Sequence, residues 1–155
     1  FAIIQGLETV ALRMKQHCAN AEYVVEFLKK HKEVTKVIYS TEHDKPIADR
    51  AKKYLTGGNG PMVGIELKGG LEAGKRFIES LKMFYHVANI GDARSLAIHP
   101  ASTTHSQLNE KELAASGVTQ SYVRLCIGLE HINDIIDDLD QALNKSSKGN
   151  LKAVS

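Results

Sequence analysis

Residues 122–129 read Tyr-Val-Arg-Leu-Cys-Ile-Gly-Leu, and this stretch decides the fold. Its β-branched and apolar residues alternate, which predicts a strand with one face in the core. Alternation puts Val123, Leu125 and Ile127 on one face and Arg124 on the other. A charge inside such an apolar run costs several kcal/mol unless it is paired. Arg124 therefore either forms an ion pair inside the domain or binds a ligand, and the strand pattern favours neither.

The rest of the chain predicts further strands joined by helices. Turn residues and β-branched runs predict strands at 34–39, 62–67, 85–89 and 95–99. Apolar residues three and four positions apart, with Asn109 as a cap, predict helices at 5–31, 47–55, 71–81, 110–112 and 132–143. The polar residues from 144 onward are predicted to fray. This order predicts the α/β (α+β) class, with a small sheet covered by helices on one side.

The first predicted helix carries one apolar stripe, formed by Leu7, Val10, Met14, Cys18, Ala21, Val25 and Leu28. A helix of about 25 residues is about 40 Å long. This length fits a helix that bridges to another domain, and it also fits an ordinary core helix. Since the chain starts at Phe1 in mid-pattern, without an initiator methionine, we expect it to be a piece of a longer protein.

Composition excludes several classes of protein. The 155 residues are enough for one domain with its own core. The net charge is only +2 and the lysines lie among acidic residues, so no nucleic-acid surface is expected. No apolar run approaches the roughly 20 residues of a membrane span. Cys18 and Cys126 lie in apolar segments and are expected to be buried, reduced thiols, which favours the cytoplasm.

Two patterns that resemble ligand sites favour structural roles. The glycines of residues 57–60 follow a helix and precede a strand, whereas a phosphate cradle needs the opposite order. His99 and His105 match no compact zinc spacing, and no cysteine lies beside them. We therefore expect residues 57–60 to form a turn, and His99 and His105 to bind no metal.

Four other ionisable residues are expected outside any site. His17 and His31 are expected at the surface or boundary of the first helix. Asp137 and Asp138 are expected on the solvated face of the last helix, because a catalytic carboxylate pair needs two different environments.

Residues 89–106 form the second region that is dense in polar groups, with the sequence NIGDARSLAIHPASTTHS. Hydroxyl residues, an amide and a proline lie here between predicted strands. Binding groups concentrate in loops held by a rigid scaffold. An ordered loop without a binding role is equally consistent with this composition.

Four stretches resemble the Cys/Met-metabolism family of pyridoxal-phosphate enzymes. They are GLETVALRMKQHCANA at 6–21, GPMVGIELKGG at 60–70, NIGDARSLAIHPASTTHSQL at 89–108 and VRLCIGLEHINDIIDDLDQAL at 123–143. Lyases of the family usually have serine where this chain has Asn89, and often methionine in place of Thr103. Both differences are similar to the family's O-acetylhomoserine sulfhydrylase branch. Cystathionine γ-synthase and methionine γ-lyase are the alternatives within the family.

The resemblance implies a domain and a site. The domain is the C-terminal small domain of a fold-type I enzyme, with a largely antiparallel sheet, over residues 1–145; residues 1–31 form a connecting helix and 146–155 a polar tail. Arg124, in the motif V-R-L-x-x-G-L-E, would bind the substrate's α-carboxylate, and Asn89 and Thr104 would line the same pocket. The Schiff-base lysine, the aspartate that pairs with the pyridine nitrogen and the phosphate loop would belong to an N-terminal domain outside this chain. No catalytic, cofactor-binding or metal-binding residue is therefore expected here.

The resemblance also implies an activity for the parent protein. The cofactor ring is an electron sink, acetate leaves the γ-carbon, and sulfide or a thiol replaces it to give homocysteine or methionine. The parent would be a cytoplasmic homo-oligomer, a dimer or tetramer, of methionine biosynthesis. The chain alone is expected to be inactive and to bind no pyridoxal phosphate. The alternatives from other classes are a carboxylate-binding or regulatory module and a structural domain that docks through its first helix.

Overall fold

A computed structural model describes residues 1–147. The helices and strands are α1 (Ala2–Glu8), α2 (Val10–Leu28), β1 (Val34–Ile38), α3 (Lys45–Tyr54), β2 (Met62–Leu67), α4 (Gly70–Ser80), β3 (Tyr85–His86), β4 (Leu96–Ile98), a 3₁₀ turn (Pro100–Ser102), α5 (Glu110–Ala115), β5 (Tyr122–Cys126) and α6 (Ile132–Ser146). None of the helices in this part of the chain is both long and apolar enough to span a bilayer.

The five strands form one sheet in the order β1-β2-β5-β4-β3. All neighbours are antiparallel except β3 and β4, which are parallel. β5 is the central strand, with Arg124 opposite Gly64 of β2 on one side and Ile98 of β4 on the other. The prediction of a small, largely antiparallel sheet is therefore confirmed.

One face of the sheet forms the core together with α2, α4 and α6. The strand residues Val63, Ile65, Val123 and Leu125 are fully buried, and they belong to one apolar cluster with residues of the three helices. On the opposite face Arg124 is only half-buried. Coverage of the sheet by helices on one side, as predicted from the order of strands and helices, is confirmed.

The first helix differs from the single long helix predicted. At Thr9 the backbone departs from helical geometry, with φ −106° and ψ 2°, so α1 and α2 are separate helices. No residue of α1 is buried, and Leu7 remains 63% exposed. The apolar stripe is covered only from His17 onward, where α2 meets the end of β5 through a bond from His17 Nδ1 to the Ile127 carbonyl oxygen at 2.7 Å.

Two residues expected at the surface are buried instead. His17 is 1% exposed, and its Nδ1 donates to the Ile127 carbonyl oxygen at the end of β5. Asp138 is 7% exposed, since it lies three residues after Ile135 and so falls on the buried face of α6. The expectation was correct for its neighbour Asp137, which is exposed.

The last helix is also longer than predicted. It continues to Ser146, whose side chain is fully buried and donates to the Leu143 carbonyl oxygen at 2.7 Å. Residues 144–146 are therefore helical and not frayed, and residues 148–155 of the expected polar tail lie outside the described residues. Cys18 and Cys126 are buried free thiols, as predicted.

Candidate carboxylate-binding site

The best candidate for a binding group is Arg124, held in the middle of the central strand. Pairing of β5 with both β2 and β4 fixes its backbone, and alternation directs its side chain away from the apolar core. The Tyr122 ring lies on the same face, directly over Gly64: a Cβ at Gly64 would come within 2.6 Å of Tyr122 Cε2. Because Gly64 has no side chain, the Tyr122 ring can pack beside Arg124.

Electrostatics keep this surface positive. Burial raises the pKa of Tyr122, although the nearby Arg124 charge acts in the opposite direction. A phenol with a raised pKa is neutral near pH 7. Arg124 is therefore next to a neutral polar group that does not cancel its charge.

Among residues 1–147, the Arg124 side chain has one hydrogen-bond partner. Its Nη2 donates to the Asn89 carbonyl oxygen over 3.4 Å, a long bond. Within residues 1–147, no carboxylate oxygen lies within 4.0 Å of the guanidinium group. A guanidinium has five N–H donors, so most of those on Arg124 remain available to a ligand. The ion-pair alternative is absent from the described part of the chain.

The structure brings Asn89 to Arg124, through its main chain. Asn89 lies in the loop between β3 and β4 and is exposed. Gly91 in this loop has φ +85°, a left-handed conformation that only glycine adopts without strain. The Asp92 carboxylate then accepts from the Arg94 N–H at 3.0 Å. The loop thus turns back toward β4 and leaves its carbonyl at residue 89 facing the guanidinium.

Thr104 lies in the turn that follows β4. Its Oγ1 is 2.8 Å from His105 Nδ1 and its side chain is exposed. Ile98, the last residue of β4, pairs with Arg124, so the turn begins beside the arginine. No hydrogen bond within the described residues joins Thr104 to Arg124 or to Asn89.

A shallow depression of about 260 Å³ borders Arg124. It is lined by Ile38, Tyr39, Ser40, His43, Met62, Val63, Gly64, Tyr122 and Arg124. No aspartate, glutamate or lysine is in this lining. A positive, partly apolar hollow of this kind suits a small molecule that carries a carboxylate.

The described residues do not fit pyridoxal phosphate as a whole. A Schiff-base lysine is a desolvated amine, but every lysine among residues 1–147 is exposed except the half-buried Lys75. Lys75 is paired with Glu72 at 2.8 Å. Across the same residues, no three histidine, cysteine or acidic side chains gather to hold a metal ion.

The sequence predicted Arg124 and Asn89 but did not name the other groups around the guanidinium. Tyr122 could have been proposed, since it lies two residues before Arg124 on the same face. The contribution of residues 38–43 was hidden, because it depends on the order of β1 and β2 in the sheet. The role of the Asn89 carbonyl oxygen was hidden too, because any residue type supplies that atom.

Comparisons with known proteins agree with this architecture. Residues 1–144 match the family model described as Cys/Met metabolism PLP-dependent enzyme. The chain is 51% identical, over 91% of its length, to O-acetyl-L-homoserine sulfhydrylase from Leptospira meyeri and covers 32% of that protein. It is 46% identical, over 92% of its length, to O-acetyl-L-homoserine sulfhydrylase 1 from Thermus thermophilus and covers 34% of it. It is 44% identical, over 94% of its length, to L-methionine gamma-lyase from Fusobacterium nucleatum subsp. polymorphum and covers 36% of it.

A solved structure shares the fold. It is a putative O-acetylhomoserine (thiol)-lyase from Campylobacter jejuni, solved with N′-pyridoxyl-lysine-5′-monophosphate. The TM-score is 0.82 at 42% identity, over 90% of this chain and 33% of that one. The chain thus spans about a third of the length of the relatives it matches.

Proposed function

Because the chain belongs to the Cys/Met metabolism family of PLP-dependent enzymes, we propose that it is the substrate-carboxylate-binding part of an O-acetylhomoserine sulfhydrylase. It corresponds to the C-terminal domain of the parent protein. Its partner is an N-terminal domain that holds pyridoxal phosphate. The parent replaces the acetate of O-acetylhomoserine with sulfide or a thiol, in a cytoplasmic homo-oligomer. The low share of each relative that the chain covers supports a partner domain.

The observation that carries the proposal is that the Arg124 guanidinium group forms no ion pair with any residue of 1–147. A planar fork on a rigid strand forms two parallel hydrogen bonds with a carboxylate. Arg124 has this geometry available, because its one bond to another residue of 1–147 is a long one to a neutral carbonyl oxygen. Holding the carboxylate fixes the orientation of the substrate, and orientation lowers the barrier of the reaction that follows.

Asn89 and Thr104 complete the pocket in the proposal. The Asn89 carbonyl oxygen holds one edge of the guanidinium, so the opposite edge is directed at the ligand. Thr104 presents an exposed hydroxyl group in the turn that starts next to the arginine's cross-strand neighbour. Both residues lie in loops held by the rigid sheet, where binding groups concentrate.

The sulfhydrylase branch is favoured over the lyases by residues and by identity. Asn89 and Thr103 match the sulfhydrylase pattern, and the chain is 51% and 46% identical to two sulfhydrylases. Methionine γ-lyase is the second candidate, because one relative of that name is 44% identical. The products separate the two: homocysteine and acetate from O-acetylhomoserine and sulfide, or a 2-oxo acid, ammonia and methanethiol from methionine and water.

The central test uses the full-length parent protein. Arg124→Ala is expected to lower kcat/KM for O-acetylhomoserine about 100-fold, because a lost charge-assisted pair costs about 3 kcal/mol. Arg124→Lys keeps the charge but loses the fork, so an intermediate value is expected. Arg50→Ala, at an exposed arginine of α3, is the matched control and is expected to leave the rate unchanged. Equal rates for the Arg124→Ala and Arg50→Ala variants would contradict the proposed role.

A second test uses the chain by itself. We expect no visible absorbance of bound pyridoxal phosphate after incubation with the cofactor, and no turnover of O-acetylhomoserine with sulfide. Either signal from the 155-residue chain would show that this part holds chemistry that the proposal places elsewhere.

A further inference from the structure

His99 is a fully buried polar side chain with no assigned role. Its exposure is 0%, and it lies immediately after β4, where the 3₁₀ turn begins. An imidazole removed from water is costly unless both of its nitrogens are hydrogen-bonded. The partners of His99 therefore explain why the fold keeps it there.

Both ring nitrogens have partners. Nε2 is 2.8 Å from the Gln120 carbonyl oxygen, and Nδ1 is 2.9 Å from Ser102 Oγ. Because a carbonyl oxygen only accepts, Nε2 carries the proton and Nδ1 of the neutral ring accepts from the Ser102 hydroxyl. Burial lowers the pKa of His99, which favours this neutral form. The ring thus connects the turn after β4 to the chain just before β5.

The backbone of the turn folds back on the same residue. The His99 carbonyl oxygen accepts from Thr103 Oγ1 at 2.9 Å and from the Ser102 N–H at 3.2 Å. The His105 N–H donates to the Pro100 carbonyl oxygen at 2.9 Å and closes the turn. The two residues on either side of Thr104 are thereby fixed relative to His99.

Helix α4 holds the ring from the other side. A Cβ at Gly74 would lie within 2.6 Å of His99 Cδ2 and within 2.7 Å of Cε1. Real Cβ atoms do not approach this closely, so glycine is needed at position 74 for the imidazole to stay where it is. The ring is confined between Gly74, Ser102 and Gln120.

We propose that His99 is a positioning residue for the substrate pocket, acting through the turn that carries Thr104. This inference rests on the proposed function. Since Ile98 pairs with Arg124, His99 determines where the turn leaves the sheet relative to the guanidinium. Thr104 is then held at a fixed distance from a carboxylate bound by Arg124.

The test uses the full-length protein and compares KM with kcat. Ser102→Ala removes the Nδ1 partner, together with the 3.3 Å contact of Ser102 Oγ with the His99 carbonyl oxygen, and keeps the backbone bonds of the turn. We expect KM for O-acetylhomoserine to rise about fivefold, the factor that corresponds to one lost hydrogen bond. We expect kcat to change less than twofold, because the turn contributes to binding equally in ground and transition states. His99→Ala is expected to raise KM further, and His99→Gln to recover part of the loss, since its amide reaches the Gln120 carbonyl oxygen.

Gly74→Ala perturbs the ring from the helix side, and Gly6→Ala is its matched control. Both are glycine-to-alanine changes inside helices, but a Cβ at Gly6 meets nothing within 4 Å. Gly74→Ala is expected to raise KM and to speed amide hydrogen exchange over residues 102–105, whereas Gly6→Ala changes neither.

The positioning role would be overturned if Ser102→Ala left KM unchanged. It would also be overturned if every variant lost kcat only in proportion to its loss of folded protein. Failure of the proposed function is seen separately, because the unsubstituted protein would then make no homocysteine. Hydrogen exchange of the turn needs no substrate and reports the coupling to His99 in either case.

Discussion

Replacing Asp138 by alanine is expected to destabilise the fold by about 3 kcal/mol. Its buried carboxylate accepts from the Lys82 N–H at 2.9 Å and from the Met83 N–H at 2.8 Å. A weaker bond from the Phe84 N–H measures 3.3 Å. A hydrogen bond to a charged group contributes about 1.5 kcal/mol or more. The two short bonds together therefore contribute about 3 kcal/mol.

The structural consequence is local to the connection between α4 and β3. Lys82, Met83 and Phe84 leave α4 and enter β3, so their N–H groups have no partner in either element. Asp138 binds them from α6, which ties the last helix to the start of the strand that leads to Asn89. Without the carboxylate, these amides either bind water or remain unpaired.

The assay is urea unfolding of the chain, followed by circular dichroism. Asp137→Ala is the matched control, because Asp137 precedes Asp138 in the same helix and is exposed; its cost is expected to stay within about 0.5 kcal/mol. Amide hydrogen exchange at residues 82–84 is expected to accelerate only in Asp138→Ala. If the two variants were equally stable, or if exchange at 82–84 were unchanged, the role assigned to Asp138 would be wrong.

Two further predictions concern the buried His99 ring and the cap at the start of α5. Burial depresses the pKa of His99, and Lys75 and His86 act in the same direction, whereas the hydrogen bond to the Gln120 carbonyl oxygen and the charge of Glu72 oppose them. The unfolded chain therefore binds the proton of His99 more tightly. Stability from this group is therefore present above about pH 6.5 and is lost as the pH falls below it. His99→Gln is expected to flatten that loss in unfolding curves from pH 7 to 5, and an unchanged slope would contradict the assignment. Asn109→Ala removes a capping box in which Asn109 Oδ1 accepts from the Lys111 and Glu112 N–H groups at 3.0 and 3.1 Å. The expected cost is about 1 kcal/mol, measured by urea unfolding, and a loss below about 0.3 kcal/mol would argue against the cap.

The elements of the fold were predictable where local pattern determines burial. The strand Met62–Leu67 and the helix Lys45–Tyr54 follow from alternation and from a proline at the helix start, and both formed close to the expected bounds. β3 covers only two residues of the predicted strand 85–89. Its length depends on which residues pair with β4, and local sequence does not determine that pairing. The burial of Asp138 was predictable in principle, since the helical period after Ile135 points to it, but its polarity suggested the surface.

The site was predictable to a smaller extent. Arg124 stood out because a charge interrupts an apolar strand, and the sequence resemblance then gave it a role. Which groups surround Arg124 depends on strand order, which brings residues 38–43 from one edge of the sheet and Asn89 from the other. No local pattern in the sequence encodes that order.

The site combines one residue on a rigid strand with two residues in loops. Arg124 is fixed by pairing on both sides of β5, whereas Asn89 and Thr104 are exposed in the segments on either side of β4. The residues that distinguish the sulfhydrylase pattern, Asn89 and Thr103, also belong to those segments. Both substrates considered under the proposed function, O-acetylhomoserine and methionine, carry an α-carboxylate, so in that proposal the strand supplies the contact common to them. Discrimination between substrates then falls to the loops, so exchanging Asn89 is expected to alter substrate choice more than carboxylate binding.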